Sequence, residues 1–335
     1  MSRNKELKER QARGRNARHP FAIPWKGWWE IIRRVQKEIT NDALQLMSAG
    51  IAFYFFLSVF PILAATISIY GLFVTPAGAE AQVEELGRLL PTQSQEVISE
   101  IAQNVASKSD RSLGWGLVIT VLLSIWSANK GTRALVRGLN IAYGEKESRK
   151  YLAQTALTLV ITLGAFLAGI VLLSLVAGVP AVLNYYEFSG SIKALLTWGR
   201  WPLLALLIVF IFACLYRWAP NRATPRWQWI SPGSIFGMIF WLLGSAAFSY
   251  YVDQYDTMGK TYGSFAAVVS LLLWFFLTAF VVLLGAEINC ESERQTRRDT
   301  TIGPPRARGQ RGAASADEVA EGEEPDQEGN PLSGL

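Results

Sequence analysis

Asp42, Lys130, Arg133 and Glu287 stand at the ends of long apolar runs, where ionisable side chains in this 335-residue chain would meet hydrocarbon. A charge at that depth needs an opposite charge or water. Brought together, the four would suit an anionic headgroup beside a carboxylate that can take up a proton. Asn129 and Asn140 lie in the same stretch as the two cations and would add hydrogen bonds. Asn129, Lys130, Arg133 and Asn140 are therefore candidate headgroup residues, and Asp42 and Glu287 candidate coupling carboxylates. The competing reading is a ring of interfacial charges whose stems lie along apolar surface while their heads reach water. The sequence leaves both open.

Other chemistry finds little support. The only histidine, His19, sits in a polar arm, which removes histidine-based acid–base catalysis, Ser-His-Asp triads and most zinc sites. No carboxylate cluster has the spacing of a metal-dependent nuclease, and no Gly-rich phosphate loop is followed by Lys and Ser or Thr. The chain reads as a non-enzyme without cofactor or metal. Cys214 and Cys290 fall at or inside the half assigned below to the cytoplasm, so reduced thiols are expected rather than a disulfide.

The chain carries six apolar runs, at about 46–74, 113–128, 152–179, 198–218, 232–252 and 264–288. Each is near the length that crosses a bilayer core. In hydrocarbon the backbone must satisfy its own hydrogen bonds, and the runs lack the alternating polar residues of a barrel, so all are helices. The predicted fold is an all-α, polytopic membrane protein with six transmembrane helices and amphipathic interfacial and periplasmic helices. The second run is short, and its helix is expected to continue through Asn129, Lys130, Arg133 and Arg137 beyond the membrane.

Sidedness follows from Lys and Arg. Of 32, 26 fall before residue 46, in 130–150, in 217–226 or after residue 287, and only 6 lie on the other side. That bias puts both termini in the cytoplasm of a bacterium, with the chain in its plasma (inner) membrane. The net charge of +5 points to anionic inner-leaflet lipid rather than nucleic acid, because no aromatic is interleaved in the basic arm before Phe21.

The chain divides into a basic arm without fixed structure (1–20), an amphipathic segment (21–41), the six-helix domain (42–295) and a tail without fixed structure (296–335). Between Trp25 and Ile39, apolar residues recur at helical spacing with Lys26, Arg33, Arg34 and Lys37 between them. The helix either lies in the inner interface or packs on the bundle. The outer segment 75–112 is acidic and reads as a helical hairpin, with Thr92 to Gln95 as a capping box between its halves. Pro61, following Ser58 in the first span, frees a carbonyl and kinks the helix, either as a hinge or as a fixed bend. Gly233, Gly237 and Gly244 share one face of the fifth span, a spacing that favours close helix packing.

Several stretches also resemble the YihY/BrkB family of bacterial inner-membrane proteins over about residues 40–295. IAFYFFLSVFPIL resembles the family signature, carried by Ala52, Phe53, Tyr54, Ser58, Phe60 and Pro61. RGLNIAYGEKESR is similar to its Asn-x-x-Tyr stretch at Asn140 and Tyr143, with a basic residue at Arg149. SPGSIFG resembles the start of the fifth span at Pro232 and Gly233. TYGSFAAVVSLLLWFF and LLGAEIN look like the last segment through Tyr262, Gly263, Trp274, Gly285, Ala286 and Glu287. The resemblance implies a six-helix inner-membrane protein, a family association with virulence and serum resistance, and links to lipid or envelope-precursor movement. It also brings an older label, ribonuclease BN, for which these residues supply no chemistry.

The leading expectation is a transporter or flippase-like protein for a lipid or amphiphilic envelope molecule. A non-transporting scaffold that holds envelope protein partners is the alternative, and a membrane enzyme the least favoured.

Overall fold

The computed structural model describes residues 13–73, 113–185, 189–254 and 264–319. The outer segment 75–112, Tyr262 and Gly263 lie outside the described residues.

The described chain is helical, as its unbroken apolar runs require. Helix α1 (Trp25–Asn41) leads through a corner at Asp42 and Ala43 into α2 (Leu44–Phe73). Ala43 has φ +49, the left-handed region that L-residues avoid, and this reversal ends α1 and starts α2. Then follow α3 (Leu113–Ala142), α4 (Tyr151–Leu173), a π-turn (Ser174–Gly178) and α5 (Val179–Tyr185). The π-turn precedes Pro180, whose missing N–H and bulky ring disturb the regular ladder. Helices α6 (Gly190–Trp218), α7 (Trp227–Gln254) and α8 (Ser264–Arg294) complete the bundle, and a single turn, α9 (Ala314–Asp317), lies beyond it.

Among the described residues, five segments are long and apolar enough to cross a membrane: Leu44–Ile62, Tyr151–Val176, Gly190–Trp218, Trp227–Tyr251 and Ala267–Arg294. Helix α3 is the sixth expected span. Its 30 residues make a rod of about 45 Å, apolar in its first half and carrying Lys130, Arg133 and Arg137 in its second. That continuation matches the expectation for the short second run.

Helix α8 is the centre of the bundle, touching α1, α2, α3 and α7. Helix α2 packs along α3, α7 lies between α6 and α8, and α4 leans on α3 with only slight contact to α6. The core combines Ile51, Leu139, Tyr143, Tyr216, Ile230 and Leu283 with their neighbours. The α3–α4 seam is polar: the hydroxyls of Thr132 and Thr162 meet at 2.7 Å, and Arg133 Nη2 donates to Thr155 Oγ1 at 2.7 Å.

Helix α1 packs on the bundle through one face. Ile31 and Val35 are buried beside Ile23 and Trp229, with Leu284 and Ile288 of α8 packed against them. Trp25, Trp29 and Ile32 remain exposed on its other side.

The four basic segments assigned to one side of the membrane meet at one end of the bundle. Arg34 of α1 pairs with Glu291 of α8, Asn221 of the α6–α7 loop binds Asn140 of α3, and the Arg297 amide donates to the Arg15 carbonyl.

Here the structure corrects two expectations. Residues 13–19 and 296–319 belong to segments expected to lack fixed structure, yet they dock on this end. Thr296 donates to the Ala17 carbonyl, and Gln295 to that of Arg13. Arg311, 6% exposed, donates to the carbonyls of Arg297, Arg298, Arg306 and Ala316. Asp317 accepts from the amides of Gly309, Arg311 and Gly312. The expectation rested on too little apolar surface to fold. Order here comes instead from charged side chains satisfying backbone groups, a source that composition does not report.

Candidate functional site

The α1–α2 corner and the end of α8 bring Asp42 and Glu287 together, although 245 positions separate them in the chain. Glu287 is 1% exposed, one of its oxygens lacks a hydrogen-bond partner, and its carboxyl lies within hydrogen-bonding reach of Asp42. Asp42 is only half-buried. The two candidate coupling residues thus form one site.

The four candidate headgroup residues do not. Lys130 is exposed and lies 3.8 Å from the centroid of the Trp126 ring, one turn back on α3. That is the geometry of an interfacial cation held by an aromatic face. Arg133 reaches Thr155 and sits 5.0 Å from the Tyr151 ring centroid, fastening α4 to α3. Asn140 is spent on structure: its Oδ1 accepts from the Asn221 amide at 2.8 Å and its Nδ2 donates to Glu147 at 3.0 Å. Asn129 alone keeps unsatisfied chemistry, since its Oδ1 is buried without a partner. The Asp42, Lys130, Arg133, Glu287 cluster therefore resolves into a carboxyl pair, an interfacial cation and a helix fastener.

The glycines and Pro61 have clear local reasons. A Cβ on Gly233 would stand 1.9 Å from the Gly285 carbonyl, and one on Gly285 would stand 2.3 Å from Tyr216 Oη. The crossing of α7 and α8 is a backbone-to-backbone contact that only glycine admits. Asn289 reinforces it, its Oδ1 accepting from the Gly233 amide at 2.7 Å, and Tyr216 donates to the Val282 carbonyl at 2.9 Å. Gly237 faces Phe212 and Tyr216 of α6, and Gly244 faces Leu277 of α8, so the three share a packing role. Near Pro61, Ser58 Oγ donates to the Phe55 carbonyl at 2.6 Å, while Ser124 of α3 donates to the Pro61 carbonyl. The proline segment is braced by its neighbour.

Of the other family-motif residues, Phe53 and Tyr54 are exposed on the bundle surface, in edge contact with each other. Trp274 packs on Trp241 and Phe275.

A second polar centre escaped the sequence. Arg222 and Glu293 form an ion pair at 2.9 Å with both side chains 0% exposed. Arg222 also lies 3.9 Å over the buried Tyr143 ring and donates to Ser315 Oγ, while Glu293 accepts from Thr300 and Ser315. Tyr143 in turn is hydrogen-bonded by Asn289 at 3.3 Å. Burial holds the Tyr143 hydroxyl well above the usual tyrosine range. The glycine crossing, the Asn-x-x-Tyr stretch and the tail are thus joined through one network. No local pattern marks Arg222 or Glu293, because each is buried only by segments distant in sequence.

Comparison with known proteins agrees with this architecture. The family model described as Virulence factor BrkB matches residues 35–310. The chain is 28% identical over 249 residues to the "Putative ribonuclease-like protein YfkH" of Bacillus subtilis (strain 168), covering 73% of this chain and 88% of that one. It is 28% identical over 259 residues to "UPF0761 membrane protein VP0125" of Vibrio parahaemolyticus, covering 75% and 78%. To "UPF0761 membrane protein PSHAa0171" of Pseudoalteromonas translucida it is 26% identical over 291 residues, covering 82% and 88%. No solved structure matches the chain.

Proposed function

The chain belongs to the Virulence factor BrkB family, and from that premise we propose that it is a non-enzymatic, transporter-like protein of the bacterial inner membrane that moves an amphiphilic, anionic envelope molecule. The observation that carries the proposal is the Asp42–Glu287 pair. A buried carboxyl with a free oxygen, beside a second, half-buried carboxyl, is costly to keep in a membrane bundle and suits a proton-exchange position. The 26 Lys and Arg of the four basic segments favour the cytoplasmic side.

The mechanism requires the pair to gain and lose a proton as the bundle changes arrangement. Glu287 lies on α8, the helix that touches most others, and Asp42 at the corner that joins α1 to α2. A charge change between them alters the attraction between α8 and the α1–α2 corner. Lys130 and Trp126, exposed on α3 beside the lightly packed α4, offer a cationic and aromatic edge where an anionic headgroup would first be held.

The test is movement of fluorescent anionic and zwitterionic lipids in proteoliposomes over a range of pH, comparing the parent with Asp42→Asn, Glu287→Gln and a Lys130→Ala/Arg133→Ala pair. The expected result is protein-dependent movement whose pH dependence is lost in either carboxyl variant. Unchanged movement and pH dependence in both would refute the coupling. No movement of any lipid by folded parent protein would refute transport and leave the scaffold reading.

A further inference from the structure

A second feature of the polar end stands apart from the carboxyl pair and does not depend on the transport reading. The docked arm, the first turn of α7 and the docked tail form a half-open cavity of about 330 Å³, lined by Arg18, His19, Arg226, Trp229 and Arg298 among others. Its shape is fixed by contacts between those segments. Gln228 Nε2 donates to the Arg18 carbonyl at 3.0 Å, Arg226 Nε donates to the Thr301 carbonyl at 3.0 Å, and the Arg226 amide donates to that of Thr300 at 2.9 Å. Buried Trp229 forms an apolar wall.

The charge of the cavity is unbalanced. Its one carboxylate, Asp299, is spent on the hydroxyl and amide of Thr301 and on the Arg306 amide. Although burial opposes ionisation of Asp299, these hydrogen bonds outweigh it and hold its carboxyl below the usual range. The guanidinium groups of Arg18 and Arg298 have no hydrogen bond or ion pair among the described residues, and Arg226 commits only its Nε in the same way. Arg18, Arg226 and Arg298 are solvent-exposed and line one space, where an anion would join their like charges, and the first turn of the 28-residue α7 adds its own positive end.

We propose that this cavity binds a phosphate group, held by Arg18, Arg226 and Arg298 at the start of α7. Planar guanidinium groups match the oxygens of phosphate in pairs, and a cavity of this volume admits the group with part of what it is attached to. Phe21 and Trp25, 69% and 74% exposed, follow the docked arm in the chain and offer apolar, aromatic surface suited to a membrane interface. The phosphate is carried by an anionic lipid headgroup or is free in solution, and both present the same oxygens.

The test uses the full chain in detergent and measures binding of inorganic phosphate, phosphatidylglycerol and phosphate-free diacylglycerol by native mass spectrometry and calorimetry. An Arg18→Gln/Arg298→Gln variant is compared with the parent and with Arg137→Gln, which removes an exposed arginine elsewhere on the same end. The expected result is saturable binding that falls about tenfold or more in the double variant, for two charge-assisted hydrogen bonds lost, and is unchanged in Arg137→Gln and absent for diacylglycerol. Phosphatidylglycerol binding that inorganic phosphate competes away identifies a headgroup occupant. Binding of inorganic phosphate alone, with the same variant dependence, identifies a solution occupant. If the double variant does not fold, Arg18→Lys/Arg298→Lys keeps the charge without the paired geometry and is expected to bind more weakly than the parent. Absence of binding by the parent, or equal binding by parent and folded variants, overturns the site.

Discussion

Removing Arg222 tests whether the buried polar centre organises this end of the protein. Arg222→Ala leaves Glu293, 0% exposed at its side chain, without its cation. It also removes the guanidinium from the Tyr143 face and a donor from Ser315. Breaking a buried pair by deleting one partner costs about 3–5 kcal/mol, most of it the penalty of the stranded charge. The loss of the aromatic contact is part of that figure rather than an addition, since the groups form one network. For a chain of this size, about 3 kcal/mol lowers the melting temperature by about 4 °C. The assay is a thermal melt of detergent-purified protein, together with trypsin cleavage at Arg306 and Arg308, which the docked tail carries on its surface. The expected result is a lower melting temperature with faster release of the tail. The pair Arg222→Met/Glu293→Leu, which removes both charges and keeps volume, recovers much of the loss. A melting temperature within about 1 °C of the parent, or a double variant less stable than Arg222→Ala, would refute the reasoning.

Other outcomes follow from individual contacts. Gly233→Ala is expected to lower the yield of folded protein by forcing α7 from the Gly285 carbonyl, while Gly50→Ala, where a Cβ meets nothing within 4 Å, is tolerated or gains up to about 1 kcal/mol; fluorescence-detected gel filtration separates the two. Glu145 is held above the usual carboxylate range first by burial, against the Ala314 amide and Arg222, so ionisation there opposes docking of the tail. Its favourable contribution is full below the unfolded value and is lost as pH rises through the folded one. Glu145→Gln, which keeps an acceptor for Ala314, is therefore expected to slow tail proteolysis at pH 7, and faster proteolysis would contradict it. Asp299 has the opposite sign: its contribution is present above the unfolded value near 3.8 and is lost as pH falls through the lower folded value. Asp299→Asn should release the tail at neutral pH, read by the same cleavage.

The sequence alone carried the membrane architecture, because the cost of unpaired backbone in hydrocarbon converts a long apolar run directly into a helix. It carried the extension of α3 past its apolar half, since Lys130, Arg133 and Arg137 cannot stay in hydrocarbon. It also carried the common end for the basic segments, and the packing role of Gly233, Gly237 and Gly244 was legible from their shared face. What each polar residue does was decided by tertiary structure. Asn140 and Arg133 looked available because a sequence shows a donor but not its partner; the fold assigns those partners from the α6–α7 loop, the segment after α3, and α4. Asp42 and Glu287 become a pair only because the left-handed corner at Ala43 turns α1 against the end of α8. The arm and tail show the same limit: their order depends on Arg311, Asp317 and Arg222 reaching backbone and charge that distant segments supply. Apolar burial follows from local pattern, whereas the satisfaction of polar groups depends on which remote segments the folded chain places beside them.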